Sequence, residues 1–133
     1  MYNMEYTLEN LEVYQIAENF SDRIWNIAVG WKFFEKDTIG KQMTRAADSI
    51  SANIAEGYGR YFYKESKQFY YYSRGSLQET KSWLSKCRRR NLIEPDTCDE
   101  LLAEAEKLLV KLNSYIRFIK NSKNHNPKYP DNE

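Results

Sequence analysis

Five basic residues recur at every seventh position through the middle of the chain: Arg60, Lys67, Arg74, Lys81 and Arg88. A helix turns by 100° per residue, so a seven-residue repeat drifts by only about 20° per step and places all five on one helix face. We call these five residues the basic stripe. A line of lysine and arginine with few acids is the electrostatic footprint of phosphate binding. The sequence therefore predicts nucleic-acid contacts from Arg60, Lys64, Lys67, Arg74, Lys81 and Arg88.

The charge of this segment departs from that of the whole chain. Residues 60–90 hold nine basic and two acidic residues, a net charge of +7, whereas the full 133 residues carry only +1. Tyr71 falls within the basic stripe and Tyr70 at its edge, where rings can stack on bases or pack on a partner. An ordinary solvated helix face is the alternative interpretation, because charged outer faces are common.

The sequence shows no pattern typical of catalysis or metal binding. Its single histidine, His125, lies in a C-terminal segment without helical periodicity, away from the rigid elements that catalytic dyads and metal clusters need. Cys87 and Cys98 have no CxxC spacing, which indicates reduced, structural thiols in a reducing compartment. We predict a protein that is not an enzyme and holds no metal or cofactor.

Apolar residues recur at steps of three and four over four long segments, the pattern of amphipathic helices. The first helix is predicted to begin after Asn10, a capping residue, and to extend to Phe33 and Phe34. The second is predicted to begin at a cap formed by Asp37 or Thr38.

The second helix contains the segment 43–60, which is rich in alanine, serine and glycine. Small side chains allow a neighbouring helix to approach closely. Gly57 and Gly59 are predicted to end the helix, because glycine accepts the left-handed conformation common at helix ends. We expect Asn53 to hydrogen-bond within the molecule and Glu56 to pair with a basic residue. The alternative is that both form a contact between subunits.

The third and fourth helices are predicted over about 62–90 and 95–121, separated by a turn at 91–95. Gly75 inside the third helix predicts a close helix contact. The core-facing residues of the third helix are predicted to be Phe62, Phe69, Ser76, Thr80, Trp83 and Cys87, with Leu77, Leu84 and Tyr72 at the flanks.

Four long helices joined by short turns predict an all-α, antiparallel up-down-up-down four-helix bundle over 1–121. Residues 122–133 are predicted to form an irregular tail. The N-terminus lacks the pattern of a signal peptide, and no apolar run reaches the roughly 18 residues of a membrane span. We therefore expect a cytoplasmic protein that does not enter a membrane.

Three motifs resemble a known family: LEVY at 11–14, SISANIAEG at 49–57 and RGSLQE at 74–79. In order and spacing they are similar to the four-helix bundle proteins encoded in intervening sequences of bacterial 23S ribosomal RNA genes, over about 8–120. Ser51 stands where many members carry proline.

The resemblance implies a four-helix bundle assembled into a homopentamer and brings no catalytic residues. It also implies similarity to accessory proteins of diversity-generating retroelements, which partner a reverse transcriptase and bind nucleic acid. We expect a ring of bundles that presents the basic stripe to RNA or DNA. The alternative is a homo-oligomeric interaction scaffold, in which the basic third helix of one subunit pairs with acidic first or fourth helices of another.

Overall fold

Four long helices form most of the part of the chain that the computed structural model describes, residues 6–121. They are α1 (Glu12–Ala28), α2 (Lys41–Gly59), α3 (Tyr63–Arg89) and α4 (Pro95–Lys120). This part of the chain contains no strand, so the prediction of an all-helical protein is confirmed. The predicted tail and His125 lie outside the described residues.

The start of α1 differs from the prediction. Asn10 does not cap it, because Asn10 lies in a short 3₁₀ turn, Leu8–Asn10, where its backbone N–H donates to the Thr7 hydroxyl at 3.3 Å. Helix α1 begins after Leu11 without a side-chain cap. Sequence patterns place the end of a helix within a few residues but do not identify which polar side chain caps it.

The connection between α1 and α2 also differs from the prediction. Helix α1 ends at Ala28, and the chain then forms a helical turn, Phe33–Glu35, and a π-helical segment, Lys36–Gly40, which leads into α2. Asp37 and Thr38 therefore lie inside helical structure rather than at a cap, and the Thr38 hydroxyl donates to the Phe34 carbonyl at 2.6 Å. Phe33 and Phe34 are 79% and 72% exposed.

Helix α2 ends at Gly59 as predicted, but the predicted reason is wrong. No glycine of the described residues has a positive φ. Gly57 is needed for close approach instead: a Cβ atom there would lie 2.5 Å from Cε1 of Tyr70. The close contact predicted at Gly75 is also wrong, because a Cβ atom there would meet nothing within 4 Å.

The turn between α3 and α4 uses the left-handed conformation at Asn91, whose φ is 59°. The N–H of Leu92 donates to the Cys87 carbonyl at 2.9 Å. This bond closes the end of α3 in the way of a Schellman motif, where asparagine is the usual substitute for glycine.

The buried face of α3 is not the one predicted. Its buried residues are Ser66, Tyr70, Ser73, Leu77, Thr80, Leu84 and Cys87. Thr80 and Cys87 are confirmed, whereas Phe62 is 53% exposed and the other three, Phe69, Ser76 and Trp83, are only half-buried. Small hydroxyl residues bring α3 close to α2, since the Ser73 hydroxyl donates to the Ile50 carbonyl at 2.8 Å. A helix packs on the side where its side chains are short enough to admit a neighbour.

One apolar core lies between the four helices, with contributions from each of them. Cys87 and Cys98 are fully buried free thiols in this core, as their predicted structural role requires. Burial raises the pKa of the Cys87 thiol to about 11. No helix among residues 6–121 is long and apolar enough to cross a bilayer.

Candidate nucleic-acid interface

The structure places the predicted phosphate contacts on α3 and just before it, but divides them by their partners. Arg60, Lys64, Arg74 and Arg88 are exposed, while Lys67 and Lys81 are half-buried. The differences arise from α4, which runs beside the basic stripe. Three side-chain contacts join the two helices: Arg74 with Asn113, Lys81 with Glu106 and Arg88 with Asp99. The residue number rises along α3 while that of its partner falls along α4.

The C-terminal half of the basic stripe is neutralised within the chain. Lys81 forms an ion pair with Glu106, and Arg88 forms one with Asp99. Both acids belong to α4. These two cations remain at the surface, but a phosphate must compete with a carboxylate for each of them.

Arg60, at the N-terminal end of the basic stripe, is also engaged. Its Nη2 lies 3.2 Å from Oε2 of Glu56, and its guanidinium lies 4.7 Å from the centre of the Phe69 ring. Glu56 therefore pairs with a basic residue, as expected. Asn53 donates to the Ser49 carbonyl of its own helix at 2.8 Å, which confirms the expected hydrogen bond within the molecule.

Lys67 and Arg74 lie on tyrosine rings rather than on carboxylates. Lys67 Nζ is 5.4 Å from the centre of the Tyr63 ring and 5.9 Å from that of Tyr71. The Arg74 guanidinium lies 4.9 Å from the centre of the Tyr71 ring, and its Nη1 donates to Oδ1 of Asn113 at 2.9 Å. Within residues 6–121, no carboxylate oxygen lies within 4.0 Å of either cation.

These side chains form one wall of a cleft between α3 and α4, with a volume of about 320 Å³, which we call the basic cleft. Its lining residues are Tyr63, Lys67, Tyr71 and Arg74 from α3, and Asn113, Ile116, Arg117 and Lys120 from α4. Four of the eight are cations and none is an acid. An anion entering the basic cleft thus meets positive charge from both helices.

Arg117 and Lys120 were missed by reasoning from the sequence. The fourth helix has acids mainly in its first half and bases mainly in its second. This order of charge is the sequence feature that points to Arg117 and Lys120 as candidate phosphate contacts. Arg117 also donates to the Ser114 hydroxyl at 3.1 Å, which holds its side chain near the cleft. The basic cleft combines these bases with those of α3, because the end of α4 lies beside the first half of α3.

The tyrosines of α3 differ in exposure. Tyr71 is 39% exposed in the basic cleft, in agreement with its predicted place in the stripe. Tyr70, predicted at the edge of the stripe, is fully buried against Gly57 and Tyr115, so that prediction is wrong. The Tyr63 hydroxyl is a neutral hydrogen-bond donor at physiological pH, and burial raises its pKa further above that range.

Two larger clefts lie near the connection between α1 and α2. One, of about 640 Å³, is lined by residues of both charges together with Phe34 and Trp83. The other, of about 440 Å³, is mainly apolar and is lined by Trp25, Val29 and Phe33. Neither concentrates charge of one sign, so the smaller basic cleft has the most uniformly positive lining of the three.

Comparison with known sequences identifies the family. Residues 9–114 match the family described as 23S rRNA-intervening sequence protein. The chain belongs to this family. Among curated proteins, none matches it.

A solved structure extends the likeness of this family member to the fold. The chain is similar to the 1.70 Å crystal structure of a protein of unknown function from the S23 ribosomal protein family of Bacteroides thetaiotaomicron. The two share a TM-score of 0.72 and 23% identity, over 84% of this chain and 99% of that chain. At this identity, the likeness shows a common helical fold.

Proposed function

We propose that this intervening-sequence family member is a non-enzymatic protein that binds RNA or DNA phosphates through the basic cleft and the neighbouring half of α3. One observation carries the proposal: four cations from two helices line a cleft without any acid. Lys64 extends this surface, since it is exposed and forms no ion pair within 4.0 Å among the described residues. Lys81 and Arg88 contribute less, because acids of α4 already neutralise them.

The proposed molecule is an antiparallel up-down-up-down bundle within 1–121, located in the cytoplasm and assembled into a homo-oligomer. The reversed order of contacts between α3 and α4 supports the antiparallel arrangement. The resemblance to relatives supports a pentamer and makes a reverse transcriptase a protein partner to test. Several copies of a modest site would act together on one nucleic acid and raise its avidity.

The test is a salt titration of binding to a fluorescently labelled RNA hairpin with an unpaired loop. We expect binding at low salt that weakens as salt rises, because bound cations release counterions from the phosphates. Replacing Arg74 and Arg117 with glutamine should weaken binding at least about tenfold and lower the salt slope by roughly 1 to 2.

Two control variants make this test specific. Lys107→Gln removes a charge from the side of α4 near Glu12, away from α3, and should leave the affinity nearly unchanged. Arg88→Gln removes a cation that Asp99 neutralises and should cost less than Arg74→Gln. Absence of binding at low salt, or equal losses in all of these variants, would contradict the proposal.

A protein-interaction scaffold is the second candidate function, because one surface observation favours it. Trp25, Val29, Phe33 and Phe34 are 46% to 79% exposed near the connection between α1 and α2. Exposed apolar groups this close together are typical of an interaction surface. Pairing of the basic α3 of one subunit with the acidic α1 or α4 of another is less favoured at α4, since Lys81 and Arg88 already pair with acids of α4 within one chain.

Analytical ultracentrifugation tests this second candidate. Replacing Phe33 and Phe34 with serine should lower the mass of the assembly if the apolar surface joins subunits, and should leave nucleic-acid contacts of a single subunit intact. An unchanged mass would show that this apolar surface does not join subunits. Lys32→Gln, a neighbouring exposed change without an apolar group, is the matched control.

A further inference from the structure

The basic cleft contains aromatic rings as well as cations, and the rings favour unpaired bases over a duplex. Along α3 its lining alternates tyrosine, lysine, tyrosine and arginine at steps of four, four and three residues: Tyr63, Lys67, Tyr71 and Arg74. These spacings keep all four on one side of the helix. Simple attraction of a phosphate backbone needs the cations but not the rings.

Arg74 lies over the exposed ring of Tyr71. Its guanidinium lies 4.9 Å from the centre of the Tyr71 ring, while Asn113 accepts a hydrogen bond from its Nη1. Arg74, an exposed cation, thus has partners on two helices, the Tyr71 ring on α3 and Asn113 on α4. Bases in single strands stack on aromatic rings and on arginine guanidinium planes, so Arg74 and Tyr71 together form a stacking platform.

The cations of α4 lie across the cleft from this platform. Arg117 and Lys120 line the opposite wall, with Lys67 between the two tyrosines. A base on the platform would thus leave its own phosphate near positive charge from α4. The side chains of one cleft provide both of the contacts that single-strand binding needs, namely stacking and backbone attraction.

The dimensions of the basic cleft oppose a duplex. Its volume of about 320 Å³ is at the lower end of small-ligand pockets, which span roughly 300–1,000 Å³. Paired bases are stacked inside a duplex, so a duplex can offer its backbone only to the rim and cannot reach the platform.

We propose that the basic cleft binds an unpaired nucleotide of single-stranded RNA or DNA, with the base stacked on the Arg74 guanidinium that lies over Tyr71, and the phosphate held by Lys67, Arg117 and Lys120. This inference rests on the proposed nucleic-acid function and adds the strand form that the cleft selects.

The experiment compares three labelled probes on the full chain at one salt concentration: oligouridylate, oligothymidylate and a blunt duplex. Each has about 12 nucleotides per strand, within the site sizes of roughly 4–16 nucleotides known for single-strand binders. We expect at least one single strand to bind about tenfold or more tightly than the duplex. The tighter of the two single strands distinguishes RNA from DNA as the ligand.

Tyr71→Leu should weaken single-strand binding by roughly 5- to 100-fold, the range that aromatic stacking contributes, with little effect on the duplex. Tyr71→Phe should retain single-strand affinity, because it keeps the ring. Tyr72→Leu is the matched control, since Tyr72 is 51% exposed next to Tyr71 but packs against Phe69 outside the cleft.

The possible failures separate the two proposals. Equal affinity for single strand and duplex, or a Tyr71→Leu loss that is the same for both probes, overturns the inference and leaves phosphate binding in place. Absence of binding to all three probes at low salt overturns the proposed function itself. Circular dichroism of each variant shows whether a loss of affinity reflects a loss of fold.

Discussion

Gly57 of α2 lies directly against the ring of Tyr70 on α3. A Cβ atom there would lie 2.5 Å from Cε1 and 2.8 Å from Cζ of Tyr70, whose ring is fully buried. Gly57→Ala should therefore lower the free energy of unfolding by about 1–3 kcal/mol, the usual cost of overpacking. Urea denaturation followed by circular dichroism measures this change.

Gly75 provides the opposite case for the same chemical change. It is exposed in α3, and an added Cβ would meet nothing within 4 Å. Gly75→Ala should raise the free energy of unfolding by roughly 0.5–1 kcal/mol through helix propensity alone. Destabilisation by both variants would show that α3 has another neighbour at Gly75, such as a second subunit.

At the scale of the helix, α3 carries two seven-residue repeats one residue apart. Ser66, Ser73, Thr80 and Cys87 are buried, and the basic stripe follows one position later along the chain. One residue corresponds to 100° around a helix, so the stripe runs along the border of the buried face. This border position explains why Lys67 and Lys81 are half-buried and why acids of α4 reach the second half of the stripe.

The sequence predicted the basic stripe but not the basic cleft, for a physical reason. A repeat within one helix depends only on the geometry of that helix, so the shared face of Lys67 and Arg74 follows from spacing. The neighbour of that face depends on how α4 packs. Arg117 and Lys120 are more than forty residues away in sequence, and only tertiary packing places them across from Lys67.

The core of α3 was mispredicted because rings occur on several sides of the helix. Periodicity alone does not decide which aromatic residues of this helix face the core. Each of four rings fits a three- or four-residue apolar spacing: Phe62, Phe69, Tyr70 and Tyr71. The small residues decide the outcome. Ser73 allows α3 to lie against the Ile50 carbonyl, which buries Tyr70 and leaves Phe62 largely outside. The small residues Ser66, Ser73 and Thr80, spaced seven apart, are the sequence feature that marks this face.

At the scale of the whole molecule, a cluster of tyrosines joins the N-terminal segment to α2, α3 and α4. The hydroxyls of Tyr6 and Tyr115 lie 2.5 Å apart, and the Tyr58 hydroxyl donates to the Tyr6 carbonyl at 2.7 Å. The rings of Tyr70 and Tyr115 meet edge to face, with centres 5.2 Å apart. Burial raises the pKa values of Tyr6, Tyr70 and Tyr115 well above the ordinary value of 10.0.

These raised pKa values predict unfolding in alkali. Below about pH 10 the three phenols are neutral in both the folded and the unfolded state, so their protonation does not change the free energy of unfolding there. Above that pH the unfolded chain loses these protons while the folded chain keeps them, and stability falls as pH rises toward the folded pKa values. A fully buried phenol contributes a slope of roughly 1.4 kcal/mol per pH unit, and the half-buried Tyr6 and Tyr115 contribute less because water screens them, so stability should fall progressively above about pH 10.

Urea unfolding at a series of pH values between about 9 and 12 measures this slope, and tyrosinate absorbance reports the protons directly. Tyr115→Phe removes one of the three phenols and the hydrogen-bond partner of Tyr6, so it should make the slope shallower. Tyr72→Phe removes an exposed hydroxyl outside the cluster and should leave the slope unchanged. A free energy of unfolding that stays constant through this range would mean that water reaches the cluster in the folded protein. The N-terminal segment would then not cover the ends of α2 and α4 as tightly as the hydrogen bond between Tyr6 and Tyr115 requires.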